Sequence, residues 1–218
     1  MPTAENEHAL AGVRVLDLTG DMAGAVAGML LADMGADVVK VHPPGPGALA
    51  GQRGRLMWDR GKRAVSADVT SPDDLRAVDA LIDGADVLLV GTSGPGLTYQ
   101  GLLDHGRRPG APCSWVVMPP YLLGGAPWAG GQESAALLFA WLGHAWNQSS
   151  YADIPVACLF PLSLHMQGIW AATVAVSLVI GRKRGLPQAP LAVAGGAHGA
   201  QLVSPGSFAA GRDEPHAH

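Results

Sequence analysis

VRVLDLTGDMAGAVAGMLLADMGADVVKV, residues 13–41, decides the fold. Val13-Arg14-Val15-Leu16-Asp17-Leu18 is alternating and β-branched, the pattern of a strand. Thr19-Gly20-Asp21 breaks it, and from Ala23 to Met34 apolar residues recur at helical spacing until Gly35, a C-terminal stop. Asp37 to Val41 begins a second strand at once. Strand, helix and strand in so short a span form a βαβ unit, whose parallel strands need a crossover, almost always right-handed.

Further along, His42 to Gly54 holds three prolines and four glycines and reads as a loop. Ala64 to Val69 pairs again. Ser71-Pro72-Asp73-Asp74 starts a helix that runs to Ile82: Ser71 is the N-cap, Pro72 takes the first helical position, and the acids sit where the dipole favours them. Ala85–Val90 and Ser114–Met118 are apolar strands, and Glu133–Leu142 and Leu162–Ile180 are helices. The tail from Gly185 offers one strand pair, Leu191–Val193 with Gln201–Val203. The expected fold class is α/β: a Rossmann-like, doubly wound, mostly parallel sheet with helices on both faces. Expected boundaries are a disordered N-terminus at 1–9, the α/β domain at 10–185, an extension with short strands at 186–207 and a disordered tail at 208–218.

With 48% hydrophobic and 15% charged residues in 218, the chain can bury a sizeable core. A net charge of -4 and no basic run longer than Arg182-Lys183-Arg184 exclude nucleic acid as a partner. Cys113 and Cys158 have no paired spacing, so neither a disulfide framework nor a metal site is expected. With Glu5, Glu7 and His8 standing where a leader would be basic and then apolar, the expected location is the cytoplasm. Gly168 to Ile180 is apolar throughout, but thirteen residues fall short of the roughly 20 a span requires, and a core or interface helix is the expectation in place of a membrane span.

Gly20, Gly24 and Gly28 put small residues on one face of the first helix, without the spacing of a dinucleotide fingerprint. Close packing of helix on sheet is the stronger reading; the other is an anion cradle at the helix N-terminus near Asp21 to Ala23.

Several ordered blocks resemble family III CoA-transferases, the family of formyl-CoA transferases, carnitine CoA-transferases and α-methylacyl-CoA racemases. They are residues 10–19, Ala23-Gly24, residues 31–41, Trp58 with Arg60-Gly61-Lys62-Arg63, Ala85-Asp86-Val87-Leu88, Gly94-Pro95-Gly96, Gly124-Gly125-Ala126-Pro127, Glu133, and Gly168 through Gly185. The resemblance implies CoA or acyl-CoA as ligand, a small acid or acyl thioester as substrate, and a dimer interlocked through a second small domain that this chain is expected to lack. It places Ala23, Gly24, His42, Lys62, Thr92 and Ser93 at ligand-facing positions. It also implies an acyl-accepting Asp four residues before a glycine; with Gly168 fixing the register, that position is Leu164, or Ser163 after a slip of one, in Pro161-Leu162-Ser163-Leu164-His165-Met166-Gln167-Gly168. Leucine cannot form the mixed anhydride that divides acyl transfer into two easier steps.

Other family positions depart as well: Met22 and Ala25 replace a Gln and a Pro, His42-Pro43 replaces Glu-Arg, Thr92-Ser93 replaces Asn-Phe, and Tyr99-Gln100 replaces an Arg. Losing arginines removes bidentate recognition of phosphate. Glu133, His165 and Asp21 remain as candidate acid and base groups. Glu133 beside Ser134 also suits a helix start, and a lone histidine such as His42, His144 or His165 more often satisfies a core or interface contact. Three functional readings follow: an enzyme with altered acid–base chemistry, a non-catalytic subunit paired with itself or a complementary relative, and an ordinary CoA-transferase. Phe139, Trp141, Trp146, Ile169 and Trp170 are the apolar residues expected to lie in an oligomer contact.

Overall fold

Six strands build the sheet: β1 (Arg14–Asp17), β2 (Asp37–His42), β3 (Lys62–Ser66), β4 (Val87–Gly91), β5 (Ser114–Met118) and β6 (Leu191–Val193). The structure is a computed structural model and describes residues 8–46, 49, 51, 54–68, 70–91, 113–121, 134–146, 154–158, 160–187 and 191–196. Strand order is β3-β2-β1-β4-β5-β6, every pairing parallel, with Val15 opposite Val38 on one side and Val87 on the other. The expected α/β class and mostly parallel sheet are therefore found. β6 joins this sheet beside β5, Trp115 opposite Leu191, and the expected partner strand at 201–203 lies outside the described residues.

The helices are α1 (Met22–Asp33), α2 (Arg55–Trp58), α3 (Pro72–Asp83), α4 (Ala135–Trp141) and α5 (Leu162–Lys183). Ser71 caps α3 as expected, accepting from Asp74 N, while Asp21 caps α1 from Gly24 N and Ser134 caps α4 from Leu137 N. Gly35 ends α1 with φ +92, a backbone conformation that favours glycine.

One face of the sheet packs on α1 and α5, through residues such as Val15, Val26, Leu89, Val116, Leu164 and Ala171. The other packs on α3 through Leu16, Val39, Val78, Ile82 and Leu88. α1 packs against both the sheet and α5, and it is apolar almost all round. Gly168 makes the approach of the two helices feasible, because a Cβ there would lie 2.6 Å from the Ala23 carbonyl oxygen.

α5 begins at the expected Leu162 and ends at Lys183, shortly after the expected Ile180. At 22 residues and mean hydropathy 1.5, α5 has the length and composition of a membrane span, yet it lies as a core helix with Leu164, Gly168, Ala171, Ala172, Ala175 and Val179 buried. Phe139 is 4% exposed and belongs to the core, a correction to its expected place on a contact surface. Trp146 and Ile169 are exposed, at 63% and 41%.

Candidate functional site

The carboxyl ends of β1 and β2, with the first residue of β3, carry the densest charge in the described interior. Asp17 ends β1 directly opposite Lys40 on β2, and Lys40 in turn faces Ala64, two residues from Lys62 on β3. The twofold period of strands puts all three charged side chains on one face. Lys40 Nζ donates to Asp17 Oδ1 at 3.0 Å, to Thr19 Oγ1 at 3.0 Å and to the Thr19 carbonyl at 2.6 Å. Lys62 Nζ donates to the Ala25 carbonyl at 2.8 Å and lies 3.3 Å from Asp17 Oδ2. Thr19 adds a hydroxyl and an amide to Asp17 Oδ1, at 2.7 and 3.0 Å.

Gly28 lies against this knot; a Cβ there would stand 2.9 Å from Lys62 Nζ and 3.0 Å from Asp17 Oδ2. Close packing is thus the role of Gly28. The same holds for Gly24, whose added Cβ would fall 1.8 Å from Thr19 Oγ1.

Burial alone would raise the Asp17 pKa, but Lys40, Lys62 and the Thr19 hydroxyl together hold it below the ordinary value. Burial lowers the pKa of Lys62, against the attraction of Asp17. Burial also raises that of Asp21, although its carboxylate accepts the Gly24 N–H at 2.7 Å.

Beside the knot opens a cleft of about 300 Å³. Its polar lining comes from Thr19, Lys40, His42, Arg55, Asp59 and Lys62, and its apolar lining from Pro43, Pro46, Leu49 and Leu56. Clefts outside the carboxyl ends of parallel strands are where open α/β sheets bind ligands.

Of the residues picked from sequence, His42 and Lys62 line this cleft. Asp21 caps α1 with one carboxylate oxygen 3.1 Å from the place a Cβ on Gly91 would take, at the junction of β1 and β4. Ala23 and Gly24 are buried in α1. Glu133, Thr92 and Ser93 lie outside the described residues. His165 sits apart from the cleft lining, stacked on Phe160 with centroids 4.4 Å apart and edge-on to Trp58 at 6.1 Å, its Nδ1 3.0 Å from the Pro161 carbonyl. Ser163 is buried and donates to the Ala135 carbonyl at 3.3 Å, so the structure does not pair it with His165. Asp17, Lys40 and Thr19 were missed; the signal was a carboxylate and an ammonium inside otherwise apolar parallel strands, where a charge needs a partner.

Comparison with known proteins places the segment that builds this cleft. Residues 10–108 match CoA-transferase family III. Every residue of the knot and the cleft falls inside this matched segment. A probable fatty acyl-CoA transferase of Mycobacterium tuberculosis, Rv3272, is 34% identical over 145 residues, covering 50% of this chain and 36% of its own. The succinate–glutarate CoA-transferase of Agrobacterium fabrum is 36% identical over 109 residues, covering 43% and 27%. The aligned segments thus cover about a third or less of the length of these curated relatives. In fold, the crystal structure of Rv3272 superposes with a TM-score of 0.77 at 24% identity, over 95% of this chain and 61% of that one. A CAIB/BAIF family protein from Brucella suis gives 0.75 at 19% identity, over 95% and 59%.

Proposed function

We propose that this chain is a divergent family III CoA-transferase-like protein that has lost the acyl-aspartyl mechanism, and that it binds or acts on a small acid or acyl thioester in the cleft beside Asp17, Lys40 and Lys62, within an oligomer. The observation that carries this reading is the start of α5. Gly168 is held against α1 by a contact that leaves no room for a side chain, which supports the register used to align the acyl-acceptor position. At that register stands Leu164, 7% exposed, and the sequence has no Asp or Glu between Asp153 and Asp213. Without a carboxylate there, no mixed anhydride forms by that route. CoA or acyl-CoA remains the ligand class the family suggests. Exposed Trp146 and Ile169 support the oligomer, since large apolar groups left on a surface commonly mark a contact.

A second reading, a non-catalytic binding subunit, is favoured by the engagement of Ser163 and His165. The Ser163 hydroxyl is bonded to a backbone carbonyl, and the His165 ring is held between Phe160 and Trp58.

Incubation of the purified chain with short acyl-CoAs, hydroxylamine trapping and peptide mapping test the proposal. The expected outcome is no acyl group on any Asp or Glu. A trapped acyl-carboxylate would restore the ordinary transferase mechanism.

A further inference from the structure

We propose that the outer edge of β3 pairs antiparallel with β3 of a second copy of this chain, joining two sheets into one across a twofold axis. This rests on the oligomer reading above and names its interface.

The backbone is the first argument. β3 ends the strand order, with β2 on one side only. The Ala67 N–H donates to the His42 carbonyl at 3.0 Å, and this fixes the parity. Backbone groups alternate in direction along a strand, so Arg63 and Val65 turn to β2 while Ala64 and Ser66 turn outward. Among the described residues, nothing donates to or accepts from the outward backbone groups of Ala64 and Ser66, and both residues are exposed. β6, the strand at the opposite end of the sheet, is half-buried along its length.

The second argument is the lack of a guard. Sheets protect a bare edge with a proline, a bulge or an unanswered charge. No proline stands between Lys62 and Ser66, and the register with β2 runs without a break. Lys62 is turned into the knot beside Asp17, its side chain 1% exposed, and Arg63 is paired with Asp37 at 2.6 Å.

The edge also fits itself. A twofold axis across the strand reverses its direction, so the closed pair is antiparallel. With the axis at Ala64, the middle of β3, Ala64 of each copy donates to and accepts from Ala64 of the other. Ser66 N–H then reaches the Lys62 carbonyl, and Arg63 stands opposite Val65. No like charges face each other directly, as cross-strand pairs require. Leu56, 86% exposed, lines the cleft together with Ala64, so a strand added here covers it as well. The five residues of β3 make an edge only about 17 Å long, so the contact stays below the roughly 800 Å² per partner of a standard interface, and a dissociation constant on the order of micromolar is expected.

Sedimentation of the intact chain over a concentration series, with variants, tests this. The parent is expected to pass from monomer to dimer. Ala64→Pro removes an outward N–H without removing a bond to β2, and is expected to weaken the dimer about tenfold or more. Ser66→Lys, which faces Lys62 of the second copy, is expected to weaken it several-fold with the backbone intact, and carries the test where Ala64→Pro unfolds. Ala64→Cys, in a Cys158→Ser background that removes the exposed thiol, is expected to link two copies on oxidation. The Cα atoms of a hydrogen-bonded antiparallel pair stand about 5.5 Å apart, within disulfide range. A dimer that persists in Ala64→Pro and Ser66→Lys without a cross-link at residue 64, or is lost only in Trp146→Glu, overturns this inference and leaves the oligomer reading in place. A chain monomeric at every concentration overturns both; slow hydrogen exchange at Ala64 and Ser66 in that monomer assigns the edge to another segment of this chain.

Discussion

Two buried polar ties close the two halves of the sheet, and they differ in kind. Under β1–β3 the tie is ionic, with Asp17 between Lys40 and Lys62. At the ends of β5 and β6 it is neutral: Gln167, 1% exposed, donates to the Pro119 carbonyl at 2.8 Å and the Ala194 carbonyl at 3.1 Å. Both ties hold a helix face to strand ends, but a neutral amide is fully answered by two carbonyls and leaves no field beyond itself. The ionic tie sets Lys40 and Lys62 around Asp17, with the Asp21 carboxylate near enough to interact with both lysines. Both fasten; only the knot does so with charge.

Removing charge is the sharpest way to break that contrast. Asp17→Asn keeps shape but turns one acceptor oxygen into an NH2 donor and leaves two buried ammonium groups without their counter-charge, for an expected loss of about 3–5 kcal/mol in chemical denaturation. Loss below about 1 kcal/mol would mean that the lysines find water, and that the knot is less sealed than Asp17 burial indicates. Gln167→Leu is expected to cost less, about 1–3 kcal/mol, because it strands two carbonyls without stranding a charge. If Gln167→Leu were the costlier change, the two ties would be ranked the other way.

The pH dependence sharpens the comparison further. Asp17 has its folded pKa below the ordinary 3.8, so its contribution is present above that value and is lost as pH falls below it, through the depressed folded pKa. Acid melts of the parent and of Gln167→Leu should share this slope, and Asp17→Asn should lack it. Asp21 has the opposite sign: its folded pKa is raised, so its contribution is complete below 3.8 and declines as pH rises through the higher folded value. Asp21→Asn retains a good N-cap and should change stability least, by about 0.5 kcal/mol or less, while removing that opposing slope. A parent melt flat between pH 5 and pH 2, a range set by ordinary carboxylate titration, would contradict both assignments.

Much of the frame was legible. The β1–α1–β2 unit, the Ser71-Pro72 helix start and the buried run Ser114–Met118 emerge within a residue or two of their expected limits, because periodicity and capping are local properties. α2 was not foreseen: Arg55–Trp58 is one turn between Gly54 and Gly61, too short for a period to show. α5 starts at Leu162 as expected and runs to Lys183, just past its expected end at Ile180, with the polar Ser163 and Gln167 inside it. Each is satisfied by a backbone carbonyl from elsewhere in the fold, a fact that only the tertiary structure supplies. The knot escaped for the same reason, since Asp17 lies 23 positions from Lys40 and 45 from Lys62. His165, a candidate acid or base, is packed between aromatic rings, and its spacing from Gly168 carried no sign of that.

The adjacency of β1 and β4 has a consequence for synthesis. β1 is an inner strand, yet its second neighbour begins at Val87, opposite Val15. On a ribosome adding about 5–20 residues per second, the edge of β1 stays bare for roughly four to fourteen seconds after β1 itself is made. During that interval the nascent β1–α1–β2–β3 portion offers an unpaired, apolar edge to any other chain nearby, a template for wrong pairing. Slowing elongation between Ser66 and Val87 would prolong that exposure, whereas slowing after Gly91 would leave the edge already covered.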